Sequence, residues 1–286
     1  MGGPPQTFID SLVSSGYADS TTEGIELHDW YEYAGKLMDK RETQEVEKIH
    51  NIQPDMGYRR IRDELDKHYS IHANDKRILR IDRALHMQST IKYRRQGCTK
   101  SAASPEYIGK NYLNRQFHAD APNRKWLTDV TEFKYYIGPE IHKIDLSAIL
   151  DLYDRRIVAY AIGDHNDNVL VFDTFDAAVT ANPDAHPLFH SDRGFQYTSR
   201  SFHSKLQASS MKQSMSSVAH CIDNGPMEGF WGILKREMYY GHKFTGRDQL
   251  VQAIADYIDF YNYRRLQRRL SVMTPMEFHE RFVMAA

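Results

Sequence analysis

Two stretches, HSDRGFQYTS (190–199) and CIDNGPMEGFWGILKRE (221–237), decide how this chain is read. The first carries Asp192 one residue past a short apolar run, HPLFH (186–190). The second carries Glu228 at the start of a helix-like pattern, and 35 residues lie between the two acids. A third acid, Asp129, stands inside WLTDVTEF (126–133). That run alternates with period two: Leu127, Asp129, Thr131 and Phe133 share one side, Trp126, Thr128 and Val130 the other.

Aspartate is disfavoured in the middle of a strand, and burying an ionised carboxylate costs on the order of several kcal/mol. Three carboxylates on three separate elements make sense if a divalent cation sits between them. Such cations take oxygen ligands, and magnesium uses few carboxylates and keeps positions for water and phosphate. Two ions about 3.5–4 Å apart can activate an attacking oxygen and stabilise a leaving one in a phosphoryl displacement. Structural roles stand beside this reading. Asp129 could pair with a buried arginine, Asp192 could close an Asx turn, and Glu228 could simply favour a helix N-terminus through the dipole. Lys235 follows Glu228 by seven residues, two helical turns, so both project from one face. Its ammonium could hold a phosphate beside the acids, or could be an ordinary surface lysine.

Around these acids the chain reads as a series of short elements. After WLTDVTEF, two apolar runs flank the DLYDRR turn (151–156), which predicts three consecutive strands in an antiparallel meander. NDNVLVFDTFDAAVTAN (166–182) has helical spacing. HPLFH predicts a buried strand that delivers Asp192 at its carboxyl end. Thr198 or Ser199 can cap a helix over SRSFHSKLQAS, KQSMS (212–216) predicts a fifth strand, and 216–225 a loop. Pro226 sits where a helix tolerates proline, in the first turn, and 248–269 predicts a long amphipathic helix. The order β-β-β-α-β-α-β-α-α describes a mixed sheet with helices on its faces, and ligands of such sheets gather at carboxyl ends of strands.

Upstream, residues 1–25 read as a flexible segment, 26–91 as a helical region, 92–122 as a linker and 123–286 as the sheet-bearing core. Within the helical region, MGYRRIRDELDKH (56–68) places Ile61 and Leu65 on one face. Asn74 can cap a second helix whose stripe is Ile78, Ile81 and Leu85. Arg59, Arg60, Lys76, Arg77 and Arg80 remain outside that stripe, as in a helix-turn-helix unit on DNA, although any small helical hairpin can look alike.

The net charge of −1 hides an asymmetry. Residues 1–50 hold 4 Lys/Arg against 10 Asp/Glu, a net of −6, and residues 51–100 hold 12 against 6, a net of +6. Local basic regions, not total charge, make a footprint on nucleic acid. No run approaches the roughly 18 apolar residues of a membrane span, and the N-terminus lacks a secretory pattern. Two cysteines without metal-ligand spacing fit a reducing cytoplasm.

WLTDVTEF, DLYDRRIVAY, HSDRGFQYTS, SMSSVAHCIDNGPMEGFWGILKREM and YIDFYNYRRLQRRLSVMTPMEF occur in this order over residues 126–278. Together they resemble transposases of bacterial insertion sequences whose catalytic part is encoded by the second of two overlapping frames. These share an integrase catalytic core with retroviral integrases. The resemblance spans roughly residues 45–283, and MGYRRIRDELDKHYSIHANDKRILRI resembles the helix-turn-helix-like segment ahead of that core. It implies an α/β, ribonuclease H-like fold with a mixed five-stranded sheet flanked by helices, behind a small helical domain.

The resemblance also implies a DNA strand-transferase of the bacterial cytoplasm, bound to the nucleoid when on DNA. Asp129, Asp192 and Glu228 would be a metal-binding triad for Mg2+ or Mn2+, with two ions, and Lys235 would grip DNA beside it. The partners implied are the element's terminal repeats, target DNA, further copies of the chain in a multimer on DNA, and the first-frame protein. The family usually carries Arg and Gly where this chain has Ser217 and Ala219, and alanine restricts φ where glycine does not. A non-catalytic DNA-binding protein is the alternative reading, and a nuclease that only hydrolyses would share the metal site.

Overall fold

The computed structural model describes residues 30–91, 107–216 and 221–285, with residues 10, 13–14, 18–21 and 24–27 ahead of them. The chain divides into two compact units, Met1–Thr90 and Ile91–Ala286. Ser217 and Ala219 lie outside the described residues.

The first unit begins with an antiparallel ribbon of β1 (Ala18–Thr21) and β2 (Gly24–Leu27), paired from Ala18 opposite Leu27 to Thr21 opposite Gly24. Strand pairing thus occupies part of the stretch expected to be a flexible lead-in. Three helices follow: α1 (Trp30–Ile52), α2 (Tyr58–His68) and α3 (Asp75–Ala84). Asn74 caps α3 as expected, its side chain accepting from Arg77 N at 2.8 Å. Ile61, Leu65 and Ile78 are fully buried and meet Val46 and Ile49 of α1, so the two short helices and α1 share one small core. Ile81 and Leu85 complete the stripe half-buried.

The second unit is a five-stranded mixed sheet. Its strands are β3 (Lys125–Ile137), β4 (Glu140–Asp151), β5 (Ile157–Gly163), β6 (Leu188–Ser191) and β7 (Lys212–Met215). Their spatial order is β5-β4-β3-β6-β7. The first three form the expected antiparallel meander. Gly138, at φ +58, makes the tight turn between β3 and β4, and Arg155, at φ 66, the turn between β4 and β5. β6 then crosses to lie parallel to β3, and β7 parallel to β6.

The alternation of β3 sorts the helices. Leu127, Phe133 and Tyr135 join the core lined by α6 (Gly225–Leu234) and α7 (Arg247–Tyr263). Trp126 on the opposite face joins the core lined by α4 (Asn168–Ala181) and α5 (Arg200–Ala208). Ser199 caps α5, accepting from Phe202 N at 3.2 Å. α7 ends at Tyr263, short of the run expected to 269, and Asn262 near its end bonds both backbone groups of Ile157 on the sheet edge.

Two stretches behave differently from their sequence reading. The described part of the expected linker is packed on the core: Tyr112 N and Leu113 N donate to Ser214 Oγ at 2.9 and 3.0 Å, and Leu113 is 1% exposed. A polar, patternless sequence can still supply backbone donors to a side chain of the edge strand β7. A last helix, α8 (Pro275–Ala285), was not anticipated. Its signal is a capping box, Thr274-Pro275-Met276-Glu277: Thr274 N donates to Glu277 Oε2 at 2.8 Å and Glu277 N to Thr274 Oγ1 at 3.1 Å.

Candidate active site

Asp129 lies mid-strand on β3, opposite Ala148 of β4, on the face turned toward α6 and α7. Its Oδ1 accepts from Val130 N at 2.9 Å and its Oδ2 from Trp231 Nε1 at 3.0 Å. The bonds come from a backbone amide and an indole, not from an arginine. Burial pushes the carboxyl up to about 7, the neighbouring Asp192 charge adds to the rise and Glu228 adds less, while the Val130 and Trp231 N–H groups oppose it.

Asp192 follows the last residue of β6. The parallel register sets Leu127 level with His190; Asp129 and Asp192 each lie two residues beyond that pair, and the Asp192 charge reaches the Asp129 carboxyl. Asp192 also makes the Asx turn considered above, Oδ1 accepting from Gly194 N at 2.8 Å. Burial raises its carboxyl as well. Glu228 stands in the first turn of α6, half-buried, and burial raises its carboxyl. Asp129 thus stands on β3, Asp192 just past β6 and Glu228 at the start of α6, and the charges of the latter two reach the Asp129 carboxyl. Among the described residues, no group of three or more His, Cys, Asp or Glu side chains is arranged to hold a metal ion.

Lys235, the residue after α6, opens a wider helical turn over Lys235–Tyr239. Its ammonium donates to Thr131 Oγ1 at 2.6 Å and lies 5.0 Å from the centre of the Phe133 ring. Thr131 is two residues along β3 from Asp129, on the same face. Burial lowers the Lys235 pKa, and the charges of Asp129 and Glu132 work against that fall.

Sequence reasoning passed over the residues that fasten this arrangement. Asn224, just ahead of α6, is 4% exposed and donates from Nδ2 to the Thr128 carbonyl at 3.1 Å. Asp223 is 2% exposed and accepts from Arg115 Nε at 2.7 Å and Asn111 Nδ2 at 3.1 Å. His190 is fully buried between Ser214 Oγ (2.9 Å) and Ser216 Oγ (3.2 Å), and burial lowers its pKa to about 4. The usable signal was the helical spacing of Asn224 and Trp231 from Glu228.

Besides Lys235, the basic residues expected on DNA belong to the first unit and fall into two groups. Lys76 and Arg80 are exposed on α3, and Arg59 is exposed on α2 with Nε 3.9 Å from Asp75. Arg60 donates to Asp55 at 3.0 Å. Arg77 turns back to α1, where its guanidinium meets Glu42 at 2.5 Å and also Asp39.

Known families match both units in sequence. The family described as "Integrase core domain" matches residues 119–221, and a second family with the same description matches 228–282. The family described as "HTH-like domain" matches 38–95. The chain is 34% identical over 229 residues to the "Putative transposase InsK for insertion sequence element IS150" of Escherichia coli (strain K12), covering 80% of this chain and 78% of that one. It is 33% identical over 250 residues to the "Insertion element IS600 uncharacterized 31 kDa protein" of Shigella sonnei, covering 86% and 90%. Among solved structures, the simian T-cell lymphotropic virus intasome aligns with a TM-score of 0.49 at 17% identity, over 82% of this chain and 74% of that one. With a capped helical hairpin, an integrase-type sheet and relatives at this level over most of its length, the chain belongs to the bacterial insertion-sequence transposases that carry an integrase core domain.

Proposed function

We propose that this transposase cuts DNA at the ends of its element and joins the freed ends to a target by metal-dependent transesterification. The observation that supports the reading is the buried Asp129 carboxyl, raised to about 7 by burial, with the Asp192 charge adding to the rise and the Glu228 charge adding less. Such a site gains from a hard divalent cation, and its donors are all oxygens, the set that Mg2+ or Mn2+ takes. The donor chemistry fits the ions, which Asp129, Asp192 and Glu228 would hold. When bound, a pair of such ions would polarise the scissile phosphate and stabilise both the attacking and the leaving oxygen.

The chain's own residues then position the reactants. Asp129 sits on β3 and Asp192 just past the end of the adjacent β6, and Glu228 enters from a helix bonded to β3. In the first step water attacks a phosphodiester at the element's end and a 3′-hydroxyl leaves. In the second that hydroxyl attacks a phosphodiester of the target, one P–O bond forming as another breaks. No protein nucleophile takes part, and orientation supplies much of the rate. Lys235 adds a positive charge beside Asp129. Arg59, Lys76 and Arg80 contact phosphates of the terminal repeat, while Arg60 and Arg77 hold the hairpin's shape. The active form is a multimer that pairs two ends, with the first-frame protein contributing to end recognition. No helix among the described residues is long and apolar enough to cross a membrane.

The test is nicking and joining of plasmid DNA that carries the element's ends, in Mg2+ or Mn2+, with Asp192→Asn beside wild type. The expected outcome is loss of both steps with an unchanged circular dichroism spectrum. Strand transfer by the variant sinks the triad. Cleavage without joining identifies a hydrolase, and salt-sensitive DNA binding without any cleavage identifies a non-catalytic binding protein.

A further inference from the structure

Asn224, Glu228, Trp231 and Lys235 recur at spacings of four, three and four, so they form one stripe on α6 and its flanking turns. Three of them bond to β3 in order. Asn224 meets the Thr128 carbonyl, Trp231 the Asp129 carboxylate and Lys235 the Thr131 hydroxyl. Glu228 lies between Asn224 and Trp231 in the stripe. The helix that carries one acid is therefore registered, bond by bond, against the strand that carries another.

We propose that Trp231 is a positioning residue for Asp129, holding its carboxylate in the orientation that receives a divalent cation. The proposal rests on the reading of Asp129 as a cation ligand. A carboxylate has about four lone-pair sites on its two oxygens. Val130 N–H takes a site on Oδ1 and Trp231 Nε1–H takes one on Oδ2. With both oxygens bonded, rotation of the carboxylate is restrained, and each oxygen keeps a site for another partner. An indole N–H is donor only, so Trp231 orients the group without competing as a ligand. The indole is itself fixed: it is 3% exposed, with its ring centre 5.1 Å from that of Phe230, in the core shared with α7. Outer-shell bonds of this kind are worth roughly 10- to 100-fold in metal affinity.

Trp231→Phe keeps an aromatic ring in that core and removes the donor, together with part of the ring volume. The experiment measures binding of Mn2+ alone to the full chain, from the electron paramagnetic resonance of free ion, in wild type, Trp231→Phe and Asp129→Ala. The same proteins are assayed for DNA-end cleavage against Mn2+ concentration. Trp231→Phe weakens Mn2+ binding on the order of tenfold and raises the Mn2+ needed for half-maximal cleavage by the same factor. Its turnover at saturating Mn2+ stays close to wild type. Unchanged Mn2+ affinity in Trp231→Phe overturns the proposal, as does lost turnover with an unchanged Mn2+ requirement. Wild-type Mn2+ binding by Asp129→Ala overturns the ligand reading instead, which is a separate failure. Should Trp231→Phe not fold, the indole 15N–1H resonance of Trp231 decides. It moves when Mg2+ is added to wild type and differs in Asp129→Ala; a resonance indifferent to both refutes the bond.

Discussion

Asn224 donates from Nδ2 to the carbonyl oxygen of Thr128 at 3.1 Å, one residue before Asp129 on β3. An asparagine ahead of a helix usually caps it through its side chain. This one makes no such cap and spends its amide on the strand. The start of α6, and with it Glu228, is tied to the strand of the first acid.

Asn224→Ala removes a buried bond and leaves the Thr128 carbonyl without that donor. A buried group left unsatisfied costs about 1–3 kcal/mol. In a unit of this size each kcal/mol moves the melting temperature by about 2–4 °C. Thermal unfolding of the variant should fall by that amount, and DNA cleavage should fall further than stability alone accounts for. Cleavage equal to wild type under folding conditions would argue that the tie is only structural.

The buried carboxyl of Asp151, where β4 ends, sets a pH dependence. Burial and the adjacent Asp154 charge raise it to about 6, and the Tyr153 and Asn123 amides, at 2.8 and 2.6 Å, oppose the rise. The unfolded chain loses this proton near the ordinary aspartate value, and the folded chain keeps it to higher pH. Asp151 therefore costs nothing below that ordinary value, and its penalty grows as pH rises toward 6, reaching about 3 kcal/mol at 1.36 kcal/mol per pK unit. Asp151→Asn should flatten that part of the stability curve. Denaturant midpoints measured from pH 4 to pH 7 check it, and parallel curves for the two proteins would refute it.

Lys76 and Arg77 are neighbours in sequence with opposite expected phenotypes. Lys76 is exposed, so Lys76→Ala should leave stability within about 0.5 kcal/mol and reduce the salt slope of DNA binding by about one. Arg77 neutralises Glu42, which is 8% exposed. Arg77→Ala should destabilise the first unit by about 1–3 kcal/mol. Fluorescence anisotropy on duplex DNA across a salt series, beside thermal melts, separates the two.

Mn2+ should stabilise the folded chain. At a concentration 100 times its Kd an ion that binds only the native state adds about 2.7 kcal/mol, several degrees in melting temperature, and EDTA should reverse the gain. Asp192→Asn should lose the gain. Equal stabilisation of both proteins would place the ion elsewhere.

Much of this organisation could be read from local chemistry. Period-two alternation puts Asp129 on the face of Leu127 and Phe133 because successive side chains of a strand point to opposite sides. Asn74 and Ser199 cap their helices because a short polar side chain satisfies N–H groups that a helix start leaves open. Thr274 and Glu277 carry an equally local signal for α8. Other features are relations between distant segments, and no local pattern encodes them. That β6 crosses to lie beside β3, bringing the Asp192 charge to the Asp129 carboxyl, follows from how two cores close on the two faces of one sheet. That Trp231 bonds to Asp129, and Arg77 to Glu42 and not to solvent, follows from which helix packs on which strand or helix. Periodicity names the face an element buries; the partner that face meets is decided only when the whole chain competes for the same buried volume.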